Sequence, residues 1–472
     1  MKNRVLILLL ACVAAWACGK KDLITSADAK LRYPTDIVSF DTVFTTRGSV
    51  TQSFTIVNEN DQPLQLSSIR LMGGAASAFS INVNGSPGSS FSNLTVRAND
   101  SIYVFVKVTI DPNSNQQPFL VRDSIQLQYN GNSKFVQLQA YGQNARFING
   151  GRISSNTTWN NQLPYVILRP LVVDAGATLS IEAGTKVYLN ANAPLIVNGT
   201  LKANGGVAEA DRIVFRSERL DADFKELPGT WPGLIFTNNS LQNELRYCSI
   251  LNAYQGVVAQ GNADAVPAKI RMLGCIIDNC YDVGLYAINT SVLAQNCQIT
   301  QVGNEAQPGV GGSNVLITGG GSYQFTHCTM ATFANFFQTH KQPVLYAGNA
   351  ANAGSLPLQL HLDNCIVHGQ GGLPENEIVT AKSGNASFVV NLRHVLFKAK
   401  TDPANASLTA VIRNADPVFD TINVSRRLFN WRLRDTSPAR NAGSSTGPAT
   451  DLEGRPRPSG PAADLGAYEY QQ

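Results

Sequence analysis

The stretch from Leu362 to Gly369, LDNCIVHG, sets Asp363, Cys365 and His368 within six positions. A carboxylate, a thiol and an imidazole are the parts of a nucleophilic catalyst, whose base and nucleophile must share a hydrogen bond. The same types also ligate metals. Side chains alternate along a strand. Leu358, Leu360 and Leu362 form an inward set that slips phase at Asp363-Asn364, so this pair marks a corner. Cys365 and Val367 then point inward, and Ile366 and His368 point the other way. The three groups face three directions, and no catalytic residue is assigned here.

The five histidines all lie late, at His327, His340, His361, His368 and His394. Apart from His394 they alternate outward, as solvated side chains that could share a surface patch. The run FANFFQTHKQPVLY, Phe333 to Tyr346, adds aromatics of the kind that stack on sugar faces. The candidate ligand surface is Phe336, Phe337, His340, Tyr346, His361 and His368. Acids are thin. Between Cys248 and Lys400 there are Asp264, Asp278, Asp282, Glu305, Asp363, Glu375 and Glu377, with no two in matching positions of adjacent repeats. A hydrolase needs paired carboxylates, and a calcium-assisted lyase needs several acidic oxygens and a base. No C-x-x-C pair is present, so no metal and no cofactor are assigned.

The elements that carry these residues repeat. RYCSI, LGCII, QNCQI, THCTM and DNCIV align on Cys248, Cys275, Cys297, Cys328 and Cys365, and LRHVL places His394 in the same slot. Each has an apolar residue two positions on, the last being Leu396. The gaps of 27, 22, 31, 37 and 29 residues fit a coil of about 22 with loop insertions. Upstream, Leu171 to Gly205 is a series of short apolar strands ended by Gly or Asn. This texture resembles right-handed parallel β-helix proteins, and implies that fold for residues 146–415. Stacked strands lie about 4.8 Å apart, whereas a disulfide wants Cβ atoms about 3.8 Å apart. The five cysteines are therefore expected as an internal ladder of buried thiols, with Cys280 outside the slot.

Residues 31–145 contain alternating strands, such as SIYVFVKVTI from Ser101, and a hairpin around Asn130-Gly131. They resemble an immunoglobulin-like β-sandwich. The fold class expected is thus all-β, a sandwich followed by a β-helix. At the start, Lys2 and Arg4 precede an apolar Val5–Ala17 run that ends at Cys18. This resembles a bacterial lipoprotein signal, which implies a signal peptide over 1–17, lipid on Cys18 and a tether over 18–30. Cys12 is a second lipobox match, disfavoured because it leaves an apolar run after the anchor. Asp-Thr-Val at Asp41 and Asp-Ser-Ile at Asp100 and Asp123 resemble the O-glycosylation triplet of Bacteroidota. Residues 416–472, with DPVF, NWRLRDTSPARNAG and DLGAYEY, resemble the C-terminal segment of choice-of-anchor Q proteins. Its aromatics are expected to cap an open end of the coils, with Asp451, Arg455, Arg457 and Asp464 as ion-pair partners.

Net charge is +4 with 15% charged residues, and no basic block points to nucleic acid. The reading is an envelope protein held to the outer membrane by lipid, facing outside or periplasm. It would bind a glycan or surface protein without catalysis. A polysaccharide lyase or glycoside hydrolase and a structural envelope component are the alternatives. Ligand identity and oligomeric state stay open.

Overall fold

Forty short strands and two 3₁₀ turns account for the regular structure, and no α-helix occurs among the described residues. The computed structural model describes residues 22–113, 117–304, 311–352 and 354–471; Cys12, Cys18 and Glu305 lie outside them. The chain divides into two units, Met1–Asn144 and Ala145–Gln472.

The first unit holds two five-stranded sheets. Strand Ser101–Val108 shows how the sequence builds them. Ile102, Val104, Val106 and Val108 are buried, while Tyr103 and Phe105 face out. Phe119–Tyr129 and Asn132–Gln143 pair antiparallel across Asn130 and Gly131, both at positive φ, the geometry of a tight hairpin turn. Val38–Phe44 adds to that hairpin in parallel. Ile56, Ile81 and Val104 of one sheet share a core with Leu66, Ile125 and Leu138 of the other.

The second unit is a parallel β-helix, a single 26-stranded sheet wound into coils. Its first strands define three faces. The first face begins at Arg146–Ile148, the second at Gly151–Ile153 and the third at Thr157–Trp159. Each strand pairs with its equivalent one coil later. On the second face one inward column reads Leu171, Leu195, Leu234, Val257, Leu285, Val315, Leu345 and Ile378. On the third it reads Ala203, Leu245, Met272, Ala294, Phe325, Leu362, Leu392 and Leu408. Identical register puts like side chains in contact down the axis, giving one continuous core.

The first face carries the cysteines. Cys248, Cys275, Cys297, Cys328 and Cys365 are all free and fully buried. Their thiols donate to backbone carbonyls, as Cys275 Sγ does to the Leu245 oxygen at 3.2 Å. Cys280 is also buried and free, in register with Val302 on the same face. The last repeat needs a correction. Cys365 pairs with Val395 and Val367 with Phe397, so Val395 fills the slot and His394 precedes it. The residue before each slot is the corner itself. Tyr247, Gly274, Asn296, His327, Asn364 and His394 have φ of 47, 61, 50, 52, 55 and 52°. The chain turns there through the left-handed region, which Gly, Asn and His tolerate best.

The C-terminal segment lies along the flank of the first face, where the expectation was a plug over an open end. Phe419, Trp431, Leu433, Leu452, Leu465 and Tyr468 pack on Ala331, Phe333, Ile366 and Leu396. The corner column anchors it. His394 Nδ1 meets the Ala442 carbonyl at 2.8 Å, Asn364 Oδ1 accepts from Ser444 N at 2.9 Å, and His327 Nε2 donates to the Thr446 carbonyl at 2.9 Å. Asn296 Nδ2 donates to the Thr450 carbonyl at 2.6 Å. Arg457 pairs with Glu469 at 2.9 Å, both nearly fully buried, and its guanidinium also reaches Asn296 Oδ1. The expected partners of Arg457 do other work. Asp451 and Asp464 accept backbone N–H groups, and Arg455 pairs with Glu453.

Candidate functional site

The corner between the first and second faces gathers exposed aromatics. Strand Cys248–Leu251 ends there, and Gln255–Gln260 begins the second face. Tyr254 sits between them, and Tyr281 occupies the same place one coil on. Backbone bonds tie the two levels: Tyr254 N donates to Trp231 O, Tyr281 N to Ala253 O, and Asp282 N to Tyr254 O. The two phenol rings stack at 5.5 Å and 27°, and they are 45% and 41% exposed. Beneath them the Asp282 carboxylate accepts from Gln255 Nε2 at 2.7 Å and Asn304 Nδ2 at 2.8 Å. Partial burial, then the Asp282 charge, holds the Tyr254 phenol above its ordinary value, so its hydroxyl stays a donor. Gly229, at φ 74°, lies against the platform; a Cβ there would come within 3.1 Å of Tyr281 Cβ.

Two further loops leave the same corner on other coils. In one, Arg219 covers the Phe224 ring at 3.8 Å. In the other, Asn335 Oδ1 accepts from Phe337 N and Gln338 N, a local turn that throws Phe336 outward. Phe336 is 91% exposed, with Phe337 edge-on at 5.2 Å. Gln338 Nε2 donates to Asn279 Oδ1 at 2.6 Å, folding this loop back toward Tyr281. Arg427 of the C-terminal segment completes the join. It lies over Phe337 at 4.6 Å and donates to Asn279 Oδ1 and the Glu226 carbonyl.

The other sequence-derived candidates do not join this surface. Tyr346 faces out from the second face, in the column Leu316, Tyr346, Val379. His361 is on the third face, its Nδ1 3.2 Å from Asn391 Nδ2. His340 is buried, with Nε2 3.0 Å from Glu377 Oε1, while Glu377 Oε2 accepts from Val344 N. Gly369 and Gly372 make room for this pair; a Cβ on Gly369 would meet His340 Nε2 at 2.1 Å. His368 does point away from Cys365, but the C-terminal segment buries it. Its ring lies 5.7 Å from Phe333, neither nitrogen has a hydrogen-bond partner, and burial pushes its pKa down. The expectation of solvated histidines therefore fails for His327, His340 and His368. Asp363 pairs with Arg393 at 2.5 Å, and Cys365 is enclosed, so LDNCIVHG holds no catalytic group in reach of another.

Among the described acids, Asp278 is pushed up to about 6 by burial, with Thr300 Oγ1 2.5 Å from its Oδ1. Among the described residues no group of three or more His, Cys, Asp or Glu side chains is placed to hold a metal ion. No described helix is long and apolar enough to cross a membrane.

The sequence pointed to Phe336 and Phe337 but not to Tyr254 and Tyr281. A signal existed: each lies six residues after a ladder cysteine, Cys248 and Cys275.

No family model matches the chain, and no curated protein matches it. Among solved structures, similarity is found to a family 123 glycoside hydrolase from Clostridium perfringens, studied for glycolipid glycan hydrolysis. It is 12% identical over 23% of this chain and 23% of that chain, with a TM-score of 0.17. A second is the alkylpurine DNA glycosylase AlkC of Pseudomonas fluorescens bound to DNA containing an abasic site analog. It is 13% identical over 25% of this chain and 32% of that chain, with a TM-score of 0.16. The matched parts thus span about a quarter and a third of those chains, and likeness at this level assigns neither fold nor function here.

Proposed function

We propose that this chain is a lipid-anchored envelope protein that binds glycan without cleaving it, through the aromatic corner of its β-helix. The observation that carries this is the exposed Tyr254–Tyr281 stack on consecutive coils, with Phe336 exposed on a later loop of the same corner that Gln338 ties to Asn279. A tyrosine offers an apolar face with a polar tip, and two of them stacked and half-exposed present one continuous amphipathic surface to a ligand. A carbohydrate, with apolar C–H faces and polar edges, complements that pair. The anchoring part rests on the sequence around Cys18, the lipobox resemblance and the polar Gly19-Lys20-Lys21 that follows. In this reading the two-sheet unit is an immunoglobulin-like spacer, the coil is right-handed, and the C-terminal segment is of choice-of-anchor Q type. The location is the outer membrane, exposed or periplasm-facing.

A hydrolase is the second reading, favoured by the raised Asp278 carboxyl. It needs a partner carboxylate across a substrate cleft. Screening the purified protein on a glycan array beside a Tyr254→Ala/Tyr281→Ala variant tests the proposal. A glycan retained by the native protein and lost by the variant supports it. Equal retention by both would remove the tyrosines from the site.

A further inference from the structure

The opposite corner, between the second and third faces, is shaped by unequal loops. One coil crosses it through residues 261–269, and another, three coils on, through an excursion ending at Leu356 and Pro357. The two coils between cross with short turns. Asn289, at φ 44°, bends strand Val283–Gln295, and Gly319, Gly320 and Gly321 bend strand Val315–Thr326. The long loops are walls and the short turns a floor. Gly320 and Gly321 keep it low, since a Cβ on Gly320 would meet Pro357 O at 2.4 Å and one on Gly321 would meet Thr290 O at 2.3 Å. The result is a groove of about 840 Å³. Three strand steps make it about 14 Å across.

Its lining has a specific chemistry. Gln242, Asp264, Asn289, Ser322 and Gln359 all line it, and among the described residues none of these side chains makes a hydrogen bond. Corner amides elsewhere are consumed internally, as Asn349 is by Leu356 O and Ser383 O and Asn364 by Ser444. The groove has no Lys, Arg or His among its lining residues, and Asp264 is its one charge. Leu241 and Val266, exposed at 42% and 96%, add aliphatic surface.

We infer that this groove is a second, separate site, which takes an uncharged glycan chain. A sugar hydroxyl both donates and accepts, and a carboxamide does both, whereas a carboxylate accepts from two hydroxyls at once. An anionic polymer would meet Asp264 with no cation to offset it. The groove lies on a different corner from the Tyr254–Tyr281 stack and does not depend on it.

Calorimetric titration of the purified protein with neutral oligosaccharides (cello-, xylo- and manno-series) and with polygalacturonate tests this. Ser322→Trp places an indole on the exposed floor, and Gln359→Ala removes one amide from a strand surface. Circular dichroism checks that both fold. We expect saturable binding of a neutral oligosaccharide, weakened at least tenfold by Ser322→Trp and about fivefold by Gln359→Ala. Polygalacturonate should not bind. Native protein that binds none of the neutral series, or prefers polygalacturonate, overturns the inference. So does a neutral ligand lost on Tyr254→Ala/Tyr281→Ala but unaffected by Ser322→Trp, a result that leaves the tyrosine platform standing.

Discussion

Acid should loosen the β-helix through one corner histidine. His327 is fully buried, its Nε2 bonded to the Thr446 carbonyl and its Nδ1 unpartnered. Burial, with the nearby Arg457 guanidinium adding to it, lowers its pKa to about 3. In the unfolded chain a histidine titrates near 6.5. Between those values the unfolded state takes a proton that the folded state refuses, so stability is complete above about pH 6.5 and is lost as pH falls toward 3. At pH 5.0 the gap is 1.5 units below the unfolded value, or about 2 kcal/mol at 1.36 per unit. Other groups also titrate, so the comparison must be internal. His327→Asn removes the imidazole and keeps a residue that accepts positive φ, as Asn296 and Asn364 do at 50 and 55° on adjacent coils. Urea unfolding at pH 7.5 and 5.0 should show the native protein losing about 2 kcal/mol more than the variant. Identical losses would refute both the burial of His327 and the flank placement of the C-terminal segment.

Three other outcomes are expected. Glu469→Gln leaves the Arg457 charge buried without its partner, and should cost about 3–5 kcal/mol in urea unfolding. The thiols of Cys248, Cys275, Cys280, Cys297, Cys328 and Cys365 should be silent to a thiol reagent in the folded protein and should all react on unfolding. All six are enclosed, so a reagent has no access to them; for Cys248, Cys280, Cys297 and Cys328 burial also disfavours the reactive thiolate. Cys18→Ala should abolish incorporation of a labelled fatty acid in a lipoprotein-processing bacterium; unchanged label would move the anchor to Cys12.

The β-helix was legible because five cysteines repeat one slot, and a slot is a register. The last repeat slipped by one, with His394 taken for the slot that Val395 fills. The corrective signal was the residue before the cysteine. A corner at positive φ favours Gly, Asn or His, and Gly274, Asn296, His327, Asn364 and His394 obey it, with Tyr247 on the first cysteine coil as the exception. The direction of His368 followed from strand alternation, but its burial did not. A segment some 50 residues later covers that face, and no local pattern reports such packing. For the same reason the flank position of residues 416–472 was not readable, although their aromatic content was. The aromatic corner was half visible. Phe336 and Phe337 cluster in sequence, whereas Tyr254 and Tyr281 are 27 positions apart and meet only when coils stack. The groove was hidden because it depends on which coils have short corners.

The central claim is binding without cleavage. Titrate the glycan selected by the array into the native protein, incubate the mixture, and assay it for new reducing ends and unsaturated products. The account predicts saturable binding that Tyr254→Ala/Tyr281→Ala abolishes, with the glycan recovered intact. Product that accumulates with time, and that Asp278→Asn suppresses, would contradict it.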